Sequence, residues 1–422
     1  MKTMEHNNHE KSRNGKTKKT GKKKVILRVL VILLSGILVL MALNYRTIRH
    51  AYYGINLFNT SKLSDSFRNL DQRFPVRKVE AGENVYRLEE DLRDLPGEYL
   101  YSEELRSIRD FIDRTGTTGL LVAQGNRILF EEYAEGYEES DRMITWSVSK
   151  SVISALMGIA VEEGAIRDIE DLVTDYVPSL SNSGYRDVSI KDALQMSSGV
   201  GFNEDYFDRN SDVNRMGARA IGLGGSLEDV LLSLESERQP GAYNRYVSGD
   251  AQVLGMVLRE ATGMGIAEYT EEKLWKPAGM EFDAYWLADS TGVEAAFGGF
   301  NASLRDLARF GMLYLNGGLS NDRQFLPKHW IEESLKPDGP QPVPGEHDYS
   351  HDVLGYGYQW WIPEGTEGEF LAMGIYGQAI YLNSERDIVI VKTSAYRDYE
   401  EDGEKMELES IEFFRGIANG FE

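Results

Sequence analysis

The sequence predicts an α+β fold: an antiparallel sheet flanked by helices, a mostly helical region inserted between its strands, and one transmembrane helix in front. Three observations carry that expectation. β-Rich stretches occur near both ends of the body, around residues 119–133 and 356–392, while roughly 165–290 is helical and loop-rich. The stretch Ile144 to Gly164, ITWSVSKSVISALMGIAVEEG, is apolar around most of a helical circumference, so it reads as a buried helix. Val25 to Leu43, VILRVLVILLSGILVLMAL, is a 19-residue run with Arg28 as its one charge, long enough to cross a bilayer.

Taken in order, residues 1–24 are lysine-rich and of low complexity, which predicts a disordered tail. Their basic charge ahead of the apolar run places the N-terminus in the cytoplasm and the body outside it. A cleaved signal peptide is the competing reading, with Val29 to Leu43 as its core. No small-x-small cleavage site follows, since the next residues are Asn44, Tyr45 and Arg46. Residues 44–98, with Pro75 and Pro96, read as an irregular lead-in to a domain spanning 99–422. Within it, GLLVA, Gln124-Gly125-Asn126 and RILFEEY form a hairpin pattern. The buried helix follows, with Gly164 placed to end it. Strands are expected at Tyr356 to Ile362, Ala379 to Leu382 and Ile388 to Lys392, then a helix from Glu407 to Ala418.

Composition closes several routes. The 422 residues contain no cysteine, which removes thiolate nucleophiles, thiolate metal sites and disulfides. The net charge is −22, and because residues 1–24 carry +7 the remainder carries −29. Nucleic-acid binding needs a basic face, so that partner class is excluded. No Gly-x-Ser-x-Gly elbow occurs. Of six histidines, His6, His9 and His50 precede the body, and His347 and His351 sit in a Pro/Gly-rich loop where four-residue spacing makes no metal pair. The Gly222-Leu223-Gly224-Gly225 run lacks the preceding strand of a phosphate loop. No metal and no organic cofactor are implied.

What remains is a serine with a lysine. Ser147 and Lys150 stand three residues apart at the start of the buried helix, one turn apart on one face. A serine hydroxyl is a poor nucleophile until a neighbouring base takes its proton, and a lysine shielded from water can be that base. The helix N-terminus adds a positive dipole end where negative charge would develop.

Two further stretches extend the pattern. PGAYNRYVSGDAQVLGMVLREATG carries Tyr246-Val247-Ser248 after a Pro-Gly turn, and AMGIYGQAIYLNSERDIVIV carries Gly374-Ile375-Tyr376-Gly377-Gln378 ahead of a strand. With Ser147-x-x-Lys150 these resemble the serine β-lactamase and penicillin-binding-protein superfamily, in its class C-like esterase branch, and within it the 6-aminohexanoate-dimer hydrolases. VSIKDALQMSSGVGFNEDY, EEKLWKPAGME, GGFNASLRDLARFGML and GYGYQWWIP extend the likeness over roughly residues 55–420. The resemblance implies an α/β sandwich with Ser147 as the acylated nucleophile and Lys150 and Tyr246 as its acid/base pair. It also implies an oxyanion hole from the backbone N–H groups of Ser147 and Gln378, and substrate contacts at Tyr206, Ser248, Ile375, Tyr376 and Gly377. Which of Lys150 and Tyr246 starts as base stays open at this point.

The departures shape the expected substrate. Ile375-Tyr376-Gly377 fills the slot of the family's Lys-Thr-Gly box, and Tyr-x-Ser replaces Tyr-x-Asn. Lys392-Thr393-Ser394 lies at the far end of a later strand and is not that box. The implied activity is hydrolysis of esters or linear amides through an acyl-enzyme. The alternatives are a cell-wall D-peptidase, transpeptidase or β-lactamase, and a penicillin-binding or sensor module with little turnover.

Overall fold

A computed structural model of the chain describes residues 6–421 apart from 243, 322, 338–352 and 366–367, with side chains from residue 25 onward. His347 and His351 lie outside the described residues. The chain divides into two units, residues 1–53 and 54–422, each described by itself. In the first, one helix runs His6–Leu43 and a second begins at Tyr45. The basic segment expected to be disordered is therefore helical from His6, as strong helix-forming lysines permit. Val25–Leu43 is exposed throughout and is long and apolar enough to cross a membrane, a test that a signal sequence also passes.

The second unit is built on an eight-stranded sheet. Its order is Gly355–Tyr356, Trp361–Ile362, Glu369–Gly374, Gln378–Asn383, Ile388–Ser394, Thr117–Gln124, Arg127–Tyr133 and Glu89–Glu90. All neighbours are antiparallel except Glu89–Glu90, which runs parallel to Arg127–Tyr133. The predicted hairpin is the Thr117–Gln124/Arg127–Tyr133 pair, and Gly125 in its turn takes φ +57°. Strand Glu369–Gly374 was not among the expected strands. The Tyr356 to Ile362 run forms two two-residue strands because Gln359 turns the chain at φ +63°.

Both faces of the sheet are covered, so its central strands are apolar without alternation. On one face Val122, Leu371, Tyr381 and Ile390 pack with Phe111, Phe413, Phe414 and Ile417, the last three from the helix Tyr399–Gly420. That helix starts eight residues before the expected Glu407. On the other face lies the helix Leu304–Leu315, capped by Ser303, whose hydroxyl accepts the Asp306 N–H. It approaches so closely that a Cβ on Gly311 would sit 2.8 Å from Val389. Behind it, the helices Ser149–Glu162 and Ser248–Thr262 are buried along almost their whole length.

A second sheet was not foreseen. Val76–Val79, Ala284–Leu287, Phe300–Ala302 and Met143–Ile144 form four antiparallel strands. The lead-in thus contributes a strand, and one strand falls inside the region expected to be helical. Each has two to four residues, too short for a period-2 signal. The edge strand of this sheet, Met143–Ile144, leads directly into the turn that carries Ser147.

Candidate active site

From Ile144 the chain turns through a 3₁₀ segment, Trp146–Val148, into the helix Ser149–Glu162, so Ser147 stands just ahead of the helix rather than inside it. Thr145 donates its N–H to the Phe300 carbonyl at 3.0 Å, and Ser149 Oγ accepts the Phe300 N–H at 2.9 Å. Ser151 donates its hydroxyl to the Gln359 carbonyl at 2.6 Å. The polar residues that open this apolar helix therefore tie its N-terminus to two neighbouring segments.

Lys150 is fully buried, with Nζ 2.7 Å from Ser147 Oγ and 2.7 Å from the Phe297 carbonyl. Burial pulls its ammonium down to about 7, against the opposing pull of the Glu204 carboxylate. Tyr246 lies in the turn before the helix Ser248–Thr262. Its ring centroid is 4.8 Å from Lys150 Nζ, and the nearby Ser147 hydroxyl favours the ionised phenol. Desolvation holds that phenol well above the ordinary tyrosine range. Trp361 stacks on the ring at 5.3 Å and 17°, and Tyr356 meets it edge-on at 6.2 Å, which fixes its position. Ser147, Lys150 and Tyr246 are thus brought together in one cluster.

Around the predicted binding residues the structure is more particular. Ser248 spends both its groups on Glu204, donating its N–H at 2.7 Å and its hydroxyl at 2.6 Å. Tyr206 donates its hydroxyl to the same carboxylate at 2.9 Å. Glu204 was missed in the sequence because an acid in a loop reading NEDY looks like a solvated surface group. Desolvation nevertheless raises its carboxyl, with Lys150 and Ser248 opposing. The signal that could have found it is its place two residues before Tyr206.

Strand Glu369–Gly374 meets the Trp146–Val148 turn end-on. A Cβ on Gly374 would lie 2.3 Å from the Thr145 carbonyl and 3.1 Å from the Ser147 nitrogen. Ile375, Tyr376 and Gly377 form the turn after it, with Tyr376 at φ +63° and Gly377 at φ +85°. Gln378 starts the return strand, paired across from Gly374. Its side chain donates to the Ser394 carbonyl at 2.6 Å and accepts the Ser394 N–H at 3.1 Å. Lys392 does not reach Ser147. Its Nζ bonds Ser394 Oγ and sits 3.5 Å from the Gly377 carbonyl, buried and pulled down to about 7 by desolvation. Among the described residues no group of three or more His, Cys, Asp or Glu could hold a metal ion.

The family model named Beta-lactamase matches residues 106–410. The chain belongs to the β-lactamase family. A 6-aminohexanoate-dimer hydrolase of Paenarthrobacter ureafaciens is 31% identical over 301 residues, covering 70% of this chain and 76% of that protein. A solved Bacillus anthracis structure described as a 6-aminohexanoate-dimer hydrolase has a TM-score of 0.76 at 24% identity, covering 85% of this chain and 94% of the other. The hydrolase EstCE1 shares the fold at a TM-score of 0.59 and 14% identity, over 74% of this chain and 96% of its own. The β-lactamase-type fold implied by the resemblance is thereby established, and with it the class of the enzyme, a hydrolase.

Proposed function

We propose that this member of the β-lactamase family hydrolyses esters or linear amides through an acyl-enzyme on Ser147. The observation that carries the reading is the 2.7 Å contact between Ser147 Oγ and a buried Lys150 whose ammonium is pulled down to about 7. Near neutral pH a large share of Lys150 is the free amine, whereas the Tyr246 phenol, held above its ordinary range, keeps its proton. Lys150 is therefore the starting base. It takes the Ser147 proton as Oγ attacks the substrate carbonyl carbon. The oxyanion faces the N–H groups of Ser147 and Gln378, at the positive end of the Ser149–Glu162 helix. Tyr246 gives its proton to the leaving oxygen or nitrogen as the carbonyl–heteroatom bond breaks, and is reprotonated from Lys150. A water then attacks the acyl ester with the same groups in reverse.

The amide side of this range is favoured by the 31%-identical relative, named for a 6-aminohexanoate dimer. We read Val25–Leu43 as a signal-anchor, with a basic segment before it and the hydrolase unit outside the cytoplasm. The deciding experiment is intact mass after a fluorophosphonate probe on wild type and on Ser147→Ala. A single adduct on wild type alone is expected, and an adduct retained by folded Ser147→Ala refutes the assignment. A penicillin adduct that persists for hours would favour the penicillin-binding alternative over turnover.

A further inference from the structure

The geometry points to Phe58, with Phe67 behind it, as an aromatic clamp that holds the backbone on both sides of the Ser147 amide in its working conformation. This rests on Ser147 being the nucleophile. The two walls of the oxyanion site are each built on a residue that pays for its conformation. Trp146, just before Ser147, has φ +47°, and Tyr376, in the facing turn, has φ +63°. Neither is glycine, so both occupy the left-handed region against the preference of a side chain with a Cβ. Such residues persist only where their surroundings over-determine them.

Here the surroundings are two phenylalanines from the lead-in. The Phe58 ring stacks on Trp146 at 5.6 Å and 29°, and on Tyr376 at 5.3 Å and 13°. Phe67 meets the same two rings edge-on, at 5.4 Å and 5.3 Å, and meets Phe58 at 6.3 Å. Offset-stacked and edge-to-face contacts at these distances are the favoured aromatic arrangements. Phe67 is fully buried, but Phe58 keeps 42% of its surface exposed, an apolar ring held at the rim of the site. Because one ring touches both walls, it couples the nucleophile turn to the strand turn opposite. Both phenylalanines precede the residues matched by the family model, which begin at 106. The clamp is contributed by the lead-in, and Phe58 is a positioning residue.

The test uses the full chain in detergent, with kcat and KM on a p-nitrophenyl butyrate ester and the rate of fluorophosphonate labelling. Phe58→Ala is expected to lower kcat and the labelling rate together by about 10- to 100-fold, with KM within about three-fold. Phe58→Tyr, which restores the ring, is expected to recover both to within about three-fold of wild type. A kcat unchanged in Phe58→Ala overturns the clamp. So does a change confined to KM, the signature of a ring that only lines the substrate pocket. Should Phe58→Ala fail to fold, Phe58→Leu and Phe67→Leu keep apolar volume but lose the ring stacking, and the same two outcomes decide. Labelling retained in Ser147→Ala would remove the nucleophile assignment itself, an outcome separate from any result at position 58.

Discussion

Gly374 offers a way to damage the proposed oxyanion site without touching any reacting group. Its backbone, at φ −136° and ψ 148°, suits any residue, so Gly374→Ala tests space and not conformational freedom. The added Cβ would stand 2.3 Å from the Thr145 carbonyl and 3.1 Å from the Ser147 nitrogen. An ordinary carbon–oxygen contact is about 3.3 Å, so the strand end and the nucleophile turn must part by about 1 Å. Misplacing a catalytic geometry by that much costs about 100-fold, or about 2.7 kcal/mol of transition-state stabilisation. We expect kcat on a p-nitrophenyl ester to fall by about that factor, with a smaller change in KM, because the two N–H groups matter most to the tetrahedral state. Gly217→Ala is the control, since nothing lies within 4 Å of its Cβ. Folded Gly374→Ala with kcat within about three-fold of wild type would refute the reasoning.

Other consequences follow from the buried charges. Lys150 must be neutral to act as base, so kcat/KM should rise with pH through a limb near 7. Glu204 is the charge that opposes its deprotonation, so Glu204→Gln should move that limb to lower pH; a limb that stays or moves upward contradicts the assignment. Asp250, fully buried and accepting the Tyr185 hydroxyl at 2.9 Å, has its carboxyl raised by desolvation to about 7. The folded state then holds a proton that the unfolded state releases near 3.8, so stability is greatest below that value and is lost as pH rises through 7. Wild type should lose about 2–4 kcal/mol in denaturant titrations between pH 4 and pH 8, and Asp250→Asn should lack that slope. Ser147→Ala, Lys150→Ala and Tyr246→Phe should each remove most turnover. The Ser147→Ala/Lys150→Ala double variant should lose little more than either alone, whereas additive losses would mean that the groups do not act as a unit.

How much of this was readable in the chain depends on range. Ser147 and Lys150 were legible because a three-residue spacing is a local fact, and Tyr246 because it stands in a quotable motif. The hairpin and the apolar strands were legible for the same reason. The second sheet was not, because four strands of two to four residues come from four distant places and none carries a pattern alone. Glu204 was hidden by its residue type, since burial of a loop carboxylate is decided by Ser248, 44 residues away. Tyr206 and Ser248 were legible as residues near the site, yet both hydroxyls turn to Glu204. Phe58 could not be seen at all. An aromatic in a lead-in has no local signature, and its partners lie 88 and 318 positions further on.

The pairing of Thr117–Gln124 with Ile388–Ser394 also governs how this chain can fold. These two neighbouring strands of the main sheet are separated by more than 260 residues, so a long loop must close between them. Synthesis delivers the early hairpin long before its partner exists, with the apolar edge of Thr117–Gln124 unpaired in the interval. Assembly of the sheet must wait for the last fifty residues, and a transition state dominated by such non-local pairing forms slowly.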